Sequence, residues 1–263
     1  MSEDLEMQGR VALVAGASKG IGRATALRLA GLGADVAVVS RGENGKAVAE
    51  EIKSMGRRAV AIQADLSDVE ECAAMAKQTL SALGRIDVLV VSGSQDREDV
   101  AGRPFIDTDP HDYPTFLTAQ LLTKLNPIGA VLPSMREQGY GKVVVLTTDA
   151  GRVPTVSSAL FGAAAAGLQF SVRAIGKEVA RFGVRVNAVS ITVTKGTAIW
   201  ENYLEGQAPG ENLVKAYKRI EDMTPFHMNT PEDVANAVCF FASPISDQIS
   251  GATLSVNGGA SFP

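Results

Sequence analysis

The sequence predicts an α/β protein built as a Rossmann-like, doubly wound parallel sheet with helices on both faces, and three observations carry that reading. Short apolar runs rich in Val, Ala and Ile alternate with helix-period segments along the chain. Most of the runs are apolar on both faces, as strands covered by helices on both sides must be. The length of 263 residues, 46% of them hydrophobic, suffices for one full-size domain with a substantial core.

The strand runs follow in order. "VALVAG" starts at Val11, "DVAVVS" at Asp35, "AVAIQAD" at Ala59 and "IDVLVVS" at Ile86; "KVVVLTT" starts at Lys142, "VRVNAVS" at Val184 and "ATLSVNGG" at Ala252. Amphipathic helices lie between them, among them 68–83 and 231–241. The second is opened by Thr230 as N-cap, with Pro231 in its first turn. Long helices are expected at about 113–138 and 157–181. No linker, repeat or low-complexity tract interrupts the alternation, so residues 1–263 are expected to form one domain. From 191 to 229 no strand is expected. That segment carries Trp200, Tyr203, Pro209, Tyr217 and Pro225 and reads either as a lid over the carboxyl ends of the strands or as two surface helices with aromatic anchors.

A net charge of -4 gives no overall basic balance for nucleic acid or an anionic membrane. Cys72 and Cys239 each lie in a helix-like apolar pattern and read as buried free thiols of a reducing compartment. No apolar run approaches the roughly 18 residues of a membrane span, and the first ten residues are polar and acidic. A cytoplasmic protein is expected. His111 and His227 are the only histidines and read as surface or packing residues, so no metal site is expected.

The stretch "VALVAGASKGIGRATALRLAGLGADVAVVSR" is a strand, a glycine-rich turn, a helix and a second strand. Gly16 permits the tight turn, Gly20 lets the backbone approach a pyrophosphate, and Gly22 allows the helix to pack closely on the strand. The helix N-terminus offers free N–H groups to the phosphates. About 20 residues beyond the turn, an NAD-binding chain places a carboxylate on the ribose 2′-hydroxyl. This chain has Ser40 and Arg41 there, with Lys19 nearby. A guanidinium and a hydroxyl suit a 2′-phosphate, so NADP(H) is the expected cofactor if any binds.

Ala15-Gly16-Ala17-Ser18-Lys19-Gly20-Ile21-Gly22 resembles the fingerprint of the short-chain dehydrogenase/reductase family. Asp65 matches the family's adenine-contacting aspartate. "RIDVLV", "GKVVVL", "GVRVNAVS", "TPEDVANAVCFFAS" and "ISGATLSVNGG" resemble its landmarks in the correct order. The resemblance implies a seven-stranded sheet, a dimer or tetramer, and cofactor contacts at Gly16, Ser18, Lys19, Gly20, Ile21, Gly22, Ser40, Arg41, Asp65, Leu66, Ser92 and Gly93.

The same resemblance places a Tyr, a Lys four residues later, an upstream Ser and an Asn in the family's site. Here those positions hold Phe161, Ala165, Thr148 and Gln120. Val91-Ser92-Gly93-Ser94 replaces the family's Asn-Asn-Ala-Gly, and Ile191-Thr192 its Pro-Gly. Phe161 has no proton to exchange, and Ala165 can neither bind ribose nor lower a neighbouring pKa. The helix "ALFGAAAAGLQF" from Ala159 is expected to be structural, its Ala163, Ala164 and Gly167 allowing close approach of another helix, and the hydroxyl-rich stretch before it an ordinary loop and N-cap.

The expectation is therefore a non-catalytic subunit in a homo-oligomer, or in a hetero-oligomer with an active relative, with a CoA-thioester or aromatic-compound pathway as its setting. Two alternatives stand beside it. One is an NADP(H)-dependent oxidoreductase using other groups, among them Thr148, Asp149 and Tyr203. The other is a non-redox enzyme, a lyase or cyclase, derived from the same fold.

Overall fold

In the computed structural model, residues 6–93, 103–197, 200–201, 204–205 and 211–262 are described, those at 211–214 and 216–217 by backbone alone. Seven parallel strands form one sheet in the order β3-β2-β1-β4-β5-β6-β7. They are β1 (Val11–Ala15), β2 (Asp35–Ser40), β3 (Ala59–Gln63), β4 (Val88–Val91), β5 (Gly141–Thr148), β6 (Val184–Ile191) and β7 (Thr253–Val256). The central strands β1, β2 and β4 are buried along their whole length, which is why their runs lack polar alternation. The outer strands β3 and β7 are only half covered.

One face carries α1 (Gly20–Gly31) and α2 (Gly45–Ser54). Its core includes Ala12, Val14, Leu29, Val36, Val38 and Ile52. The last long helix, Pro231–Ala242, packs on the same core and opens with a capping box between Thr230 and Asp233. The other face carries α3 (Val69–Leu83), whose N-cap Asp68 accepts from the N–H groups of Glu70 and Glu71, with the helices after β4 and β5.

The long helix expected at 113–138 is interrupted. α4 (Tyr113–Leu117) runs into a π turn at Thr118–Leu122 and resumes as α5 (Thr123–Gln138). A π turn accommodates one extra residue and shifts the phase of the face that follows, a device common at functional sites. The helix expected at 157–181 is α6 (Ala159–Val179), extended by one 3-10 turn to Phe182. Its start is not the ordinary cap expected: Ser158 makes no side-chain cap, and Ser157 sits at φ +62°.

α6 also corrects the expectation that no segment reaches span length. Ala159–Phe182 is long and apolar enough to cross a membrane by length and composition. In the fold it is a layer helix, burying Ala164, Ala165, Leu168 and Val172 on the sheet. In the 191–229 segment the described parts are a bridge from Thr194 to Asn229, a buried Trp200 and α7 (Glu211–Met223). Tyr203 lies outside the described residues, and the side chain of Tyr217 is not described. Cys72 and Cys239 are buried free thiols.

Candidate functional site

Strand order reverses between β1 and β4, so the crevice at their carboxyl ends is where a sheet of this kind takes its ligand. The chain turns tightly there. The N–H groups of Gly16 and Ala17 both donate to Val39 O at 2.9 Å, and those of Ser92 and Gly93 both donate to Ala15 O at 2.9 Å. A Cβ on Gly16, at φ +87°, would lie 2.3 Å from Gly93 N, and one on Gly22 would lie 2.0 Å from Gly16 O. Only glycine fits either place. A Cβ on Gly20 would meet Thr197 at 3.7 Å and the carbonyl of Gly196 at 3.8 Å, both ordinary contacts, so it is the backbone conformation, at φ +53°, that asks for glycine there.

Helix α1 begins directly after this turn. Its N-cap Lys19 is extended and makes no side-chain cap, so the first N–H groups remain available to an anion. Lys19 and Arg41 are exposed at the turn and at the end of β2, while Ser18 is half-buried and Ile21 buried. Ser40 does something other than expected. Its buried Oγ donates to Gly42 O at 2.6 Å, so the cationic character of this edge rests on Arg41 and Lys19. Asp65 Oδ1 accepts from both the N–H and the hydroxyl of Ser67 at 2.8 and 2.7 Å. Leu66 O accepts from Asn126 Nδ2 at 3.1 Å, which ties the end of β3 to α5.

Beyond the switch point lie the positions compared with the family's tetrad. Gln120 sits inside the π turn. Thr148 ends β5; its Oγ1 accepts from Ala150 N at 3.4 Å, which leaves the hydroxyl proton free to donate. Gln169, buried on α6, donates to Thr148 O at 3.0 Å and fixes that strand end. Ala165 is buried on α6. Phe161, on the first turn of α6, lines a hollow with Arg103, Phe105, Thr108, Phe116, Ser157 and Ser158. The positive φ of Ser157 places backbone strain at the rim of that hollow.

Asp149 is not a substitute acid. Buried next to Thr148, it accepts from Ser190 Oγ at 2.6 Å, Asn257 Nδ2 at 2.7 Å, Arg152 at 3.0 Å and Ser255 Oγ at 3.2 Å, and from the hydroxyl of Ser261. Burial alone would raise its pKa; the hydrogen bonds from Ser190, Ser261, Asn257 and Arg152 outweigh burial and hold the carboxyl below its ordinary value. It is an ionised anchor for the C-terminal segment.

One residue of the site escapes the motif reading. Lys124, on the first turn of α5, is buried, and its Nζ donates to Gly93 O at 2.6 Å and to Ser92 O at 3.3 Å. The signal in the sequence is a lysine on a buried stripe, in phase with Ile128, Val131 and Met135. Burial pushes its pKa down to about 8.

Residues 16–261 match the family model described as Enoyl-(Acyl carrier protein) reductase. The chain is 30% identical to cyclohexanol dehydrogenase of Rhodococcus sp. strain TK6, over all of both chains. It is 34% identical to the 3-oxoacyl-[acyl-carrier-protein] reductase FabG of Staphylococcus aureus strain Mu50, covering 94% of this chain and 96% of that one. The chain belongs to the short-chain dehydrogenase/reductase family. The structure of a 7α-hydroxysteroid dehydrogenase complexed with NADH and 7-oxo glycochenodeoxycholic acid is similar, with a TM-score of 0.87, 25% identity and coverage of 98% of this chain and 97% of that one.

These relatives overturn the expectation of a non-catalytic subunit. They are named as working dehydrogenases and reductases, they match this chain over nearly its whole length, and nothing among them points to an inactive partner. That expectation rests on Phe161 and Ala165 at the family's Tyr and Lys positions and on the changed landmarks at 91–94 and 191–192, and the relatives outweigh it.

Proposed function

We propose that the protein is an oxidoreductase of this family that transfers hydride between a nicotinamide dinucleotide and a ketone or secondary alcohol. The observation that carries this reading is the glycine-rich turn. Gly16 and Gly22 stand in contacts that no side chain could occupy, and the turn leads directly into a helix N-terminus without a side-chain cap. NADP(H) is the preferred cofactor, because Arg41 and Lys19 offer two exposed cations to a 2′-phosphate.

The bound nicotinamide would supply or accept the hydride. The residues of the chain then have the task of holding the substrate oxygen and providing its proton. Thr148 donates its hydroxyl hydrogen to that oxygen, and the proton is replaced from water, since Phe161 has none to give. Loss of a positioned general acid costs typically about 10²–10⁴ in rate, so turnover should fall well below that of a tyrosine-bearing relative. The hollow that Phe161 lines with Arg103 and Phe105 would give the substrate an apolar wall with one cation beside it.

A homo-oligomer completes the proposal. Ala159, Ala163, Ala166 and Phe170 repeat at helical spacing on the outer face of α6 and are all exposed, Phe170 by 64%, and a second copy would cover that stripe. We place the protein in the cytoplasm, in line with its two unpaired thiols.

The test is calorimetric titration with NADPH and NADH, followed by assay on cyclohexanone, a 3-oxoacyl thioester and a ketosteroid. Tighter binding of NADPH and slow reduction of at least one ketone, lost in Thr148→Val, is the expected result. Binding of neither cofactor would refute the reading.

A further inference from the structure

We propose that Lys124 is a cofactor-contacting cation, held on the carbonyls of Ser92 and Gly93 so that it meets the bound dinucleotide where the crevice passes from β1 to β4. The inference rests on the function proposed above and adds a residue to it.

Its place comes first. Lys124 follows the π turn directly and lies on the stripe by which α5 faces the sheet. The two carbonyls it holds belong to the segment after β4 whose N–H groups reach Ala15 O, and Gly93 of that segment abuts the backbone of Gly16. A chain of direct contacts thus runs from the ammonium through Gly93 and Gly16 to Gly22 and the start of α1.

The electrostatics come second. The side chain is buried, with 6% of the residue exposed. Among the described residues no carboxylate pairs with it, and burial is the only influence on its titration. The two carbonyls take two of its three N–H donors, and no described residue takes the third. A methionine of similar length would fill the same space without desolvating a charge. The other buried lysine differs on each count. Lys142 lies at the amino end of β5, pairs with Asp247 at 2.8 Å and bonds to Ser243 O and Ser246 Oγ. That one is a staple between β5 and the segment after the last helix. Lys124 is a cation without a counter-ion beside a turn shaped for a dianion, and the dinucleotide would bring the missing charge.

The test is calorimetric titration of NADPH and NADH into the wild type, Lys124→Met, Lys124→Gln and Lys142→Met, with thermal unfolding of each in the absence of cofactor. Lys124→Gln keeps an N–H donor for the carbonyls but carries no charge. Both Lys124 variants should lose tenfold or more in affinity. Lys142→Met should bind as the wild type does, whatever its unfolding temperature. Wild-type affinity in a folded Lys124→Met or Lys124→Gln would overturn the inference. So would a loss confined to Lys124→Met, which would make Lys124 a pin for the loop after β4. If Lys124→Met does not fold, Lys124→Gln is read alone by the same threshold. Failure of the wild type to bind either cofactor would instead strike the function proposed above.

Discussion

At the scale of single residues, a few side chains sit where ordinary packing would not put them, and each gives a measurable consequence. Lys124 titrates near about 8 in the fold against roughly 10.4 in an unfolded chain. The unfolded state therefore binds more protons between those values, and stability gained from this group rises with pH across that window. Denaturant unfolding of wild type and Lys124→Met should show the gap shifting by about 2 kcal/mol in favour of the wild type between pH 7.5 and 10. A gap independent of pH would mean that the lysine is not desolvated. Gly22 gives a steric counterpart. Gly22→Ala would set a methyl 2.0 Å from Gly16 O, and the overpacking should cost about 1–3 kcal/mol by the same method, along with cofactor affinity by calorimetry. The glycines were legible in the sequence because close approach demands one residue type. Lys124 was not, because a lysine within a helix looks the same whether its stripe faces water or the sheet.

At the scale of elements, the ends of β5, β6 and β7 are held together by one carboxylate. Asp149 collects donors from Ser190 on β6, Ser255 on β7, Asn257 and Ser261 beyond it, and Arg152 in its own turn. Its pKa is lowered, because those hydrogen bonds outweigh the opposing effect of burial. Its contribution is then fully present above the unfolded carboxyl value of about 3.9 and is lost as pH falls through the lower folded value. Asp149→Ala should destabilise by about 3–5 kcal/mol at pH 7, since five donors lose a buried partner, and the penalty should shrink below pH 4. A penalty constant down to pH 2.5 would contradict an ionised anchor. Strand and helix order could be read from periodicity, down to the N-cap at Thr230. The π turn at Thr118–Leu122 could not, because its cause is the packing of neighbouring elements and not the propensity of "TAQLL". Nor could the Asp149 network, whose donors lie up to 112 residues away.

At the scale of the whole molecule, the sheet order puts the glycine-rich turn next to the positions that the family resemblance gives to a Tyr and a Lys and that hold Phe161 and Ala165 here. Those positions, with the changed landmarks at 91–94 and 191–192, point from sequence to an inactive subunit; the full-length similarity to named dehydrogenases and reductases corrects that conclusion. Activity by another proton route also fits the Thr148 hydroxyl. The homo-oligomer proposed above rests on the exposed stripe ending in Phe170. Sedimentation at micromolar concentration should show an oligomer, and Phe170→Glu should shift it to monomer; a wild-type monomer would leave the stripe without the proposed partner. The most direct measurement follows the hydride itself. NADPH carrying deuterium in both positions at C4 of the nicotinamide is incubated with the protein and each ketone, and the masses of the alcohols are read by mass spectrometry. Deuterium in the alcohol with wild type, and its absence with Thr148→Val, is the predicted result; alcohol free of deuterium from a protein shown to hold NADPH would contradict hydride transfer.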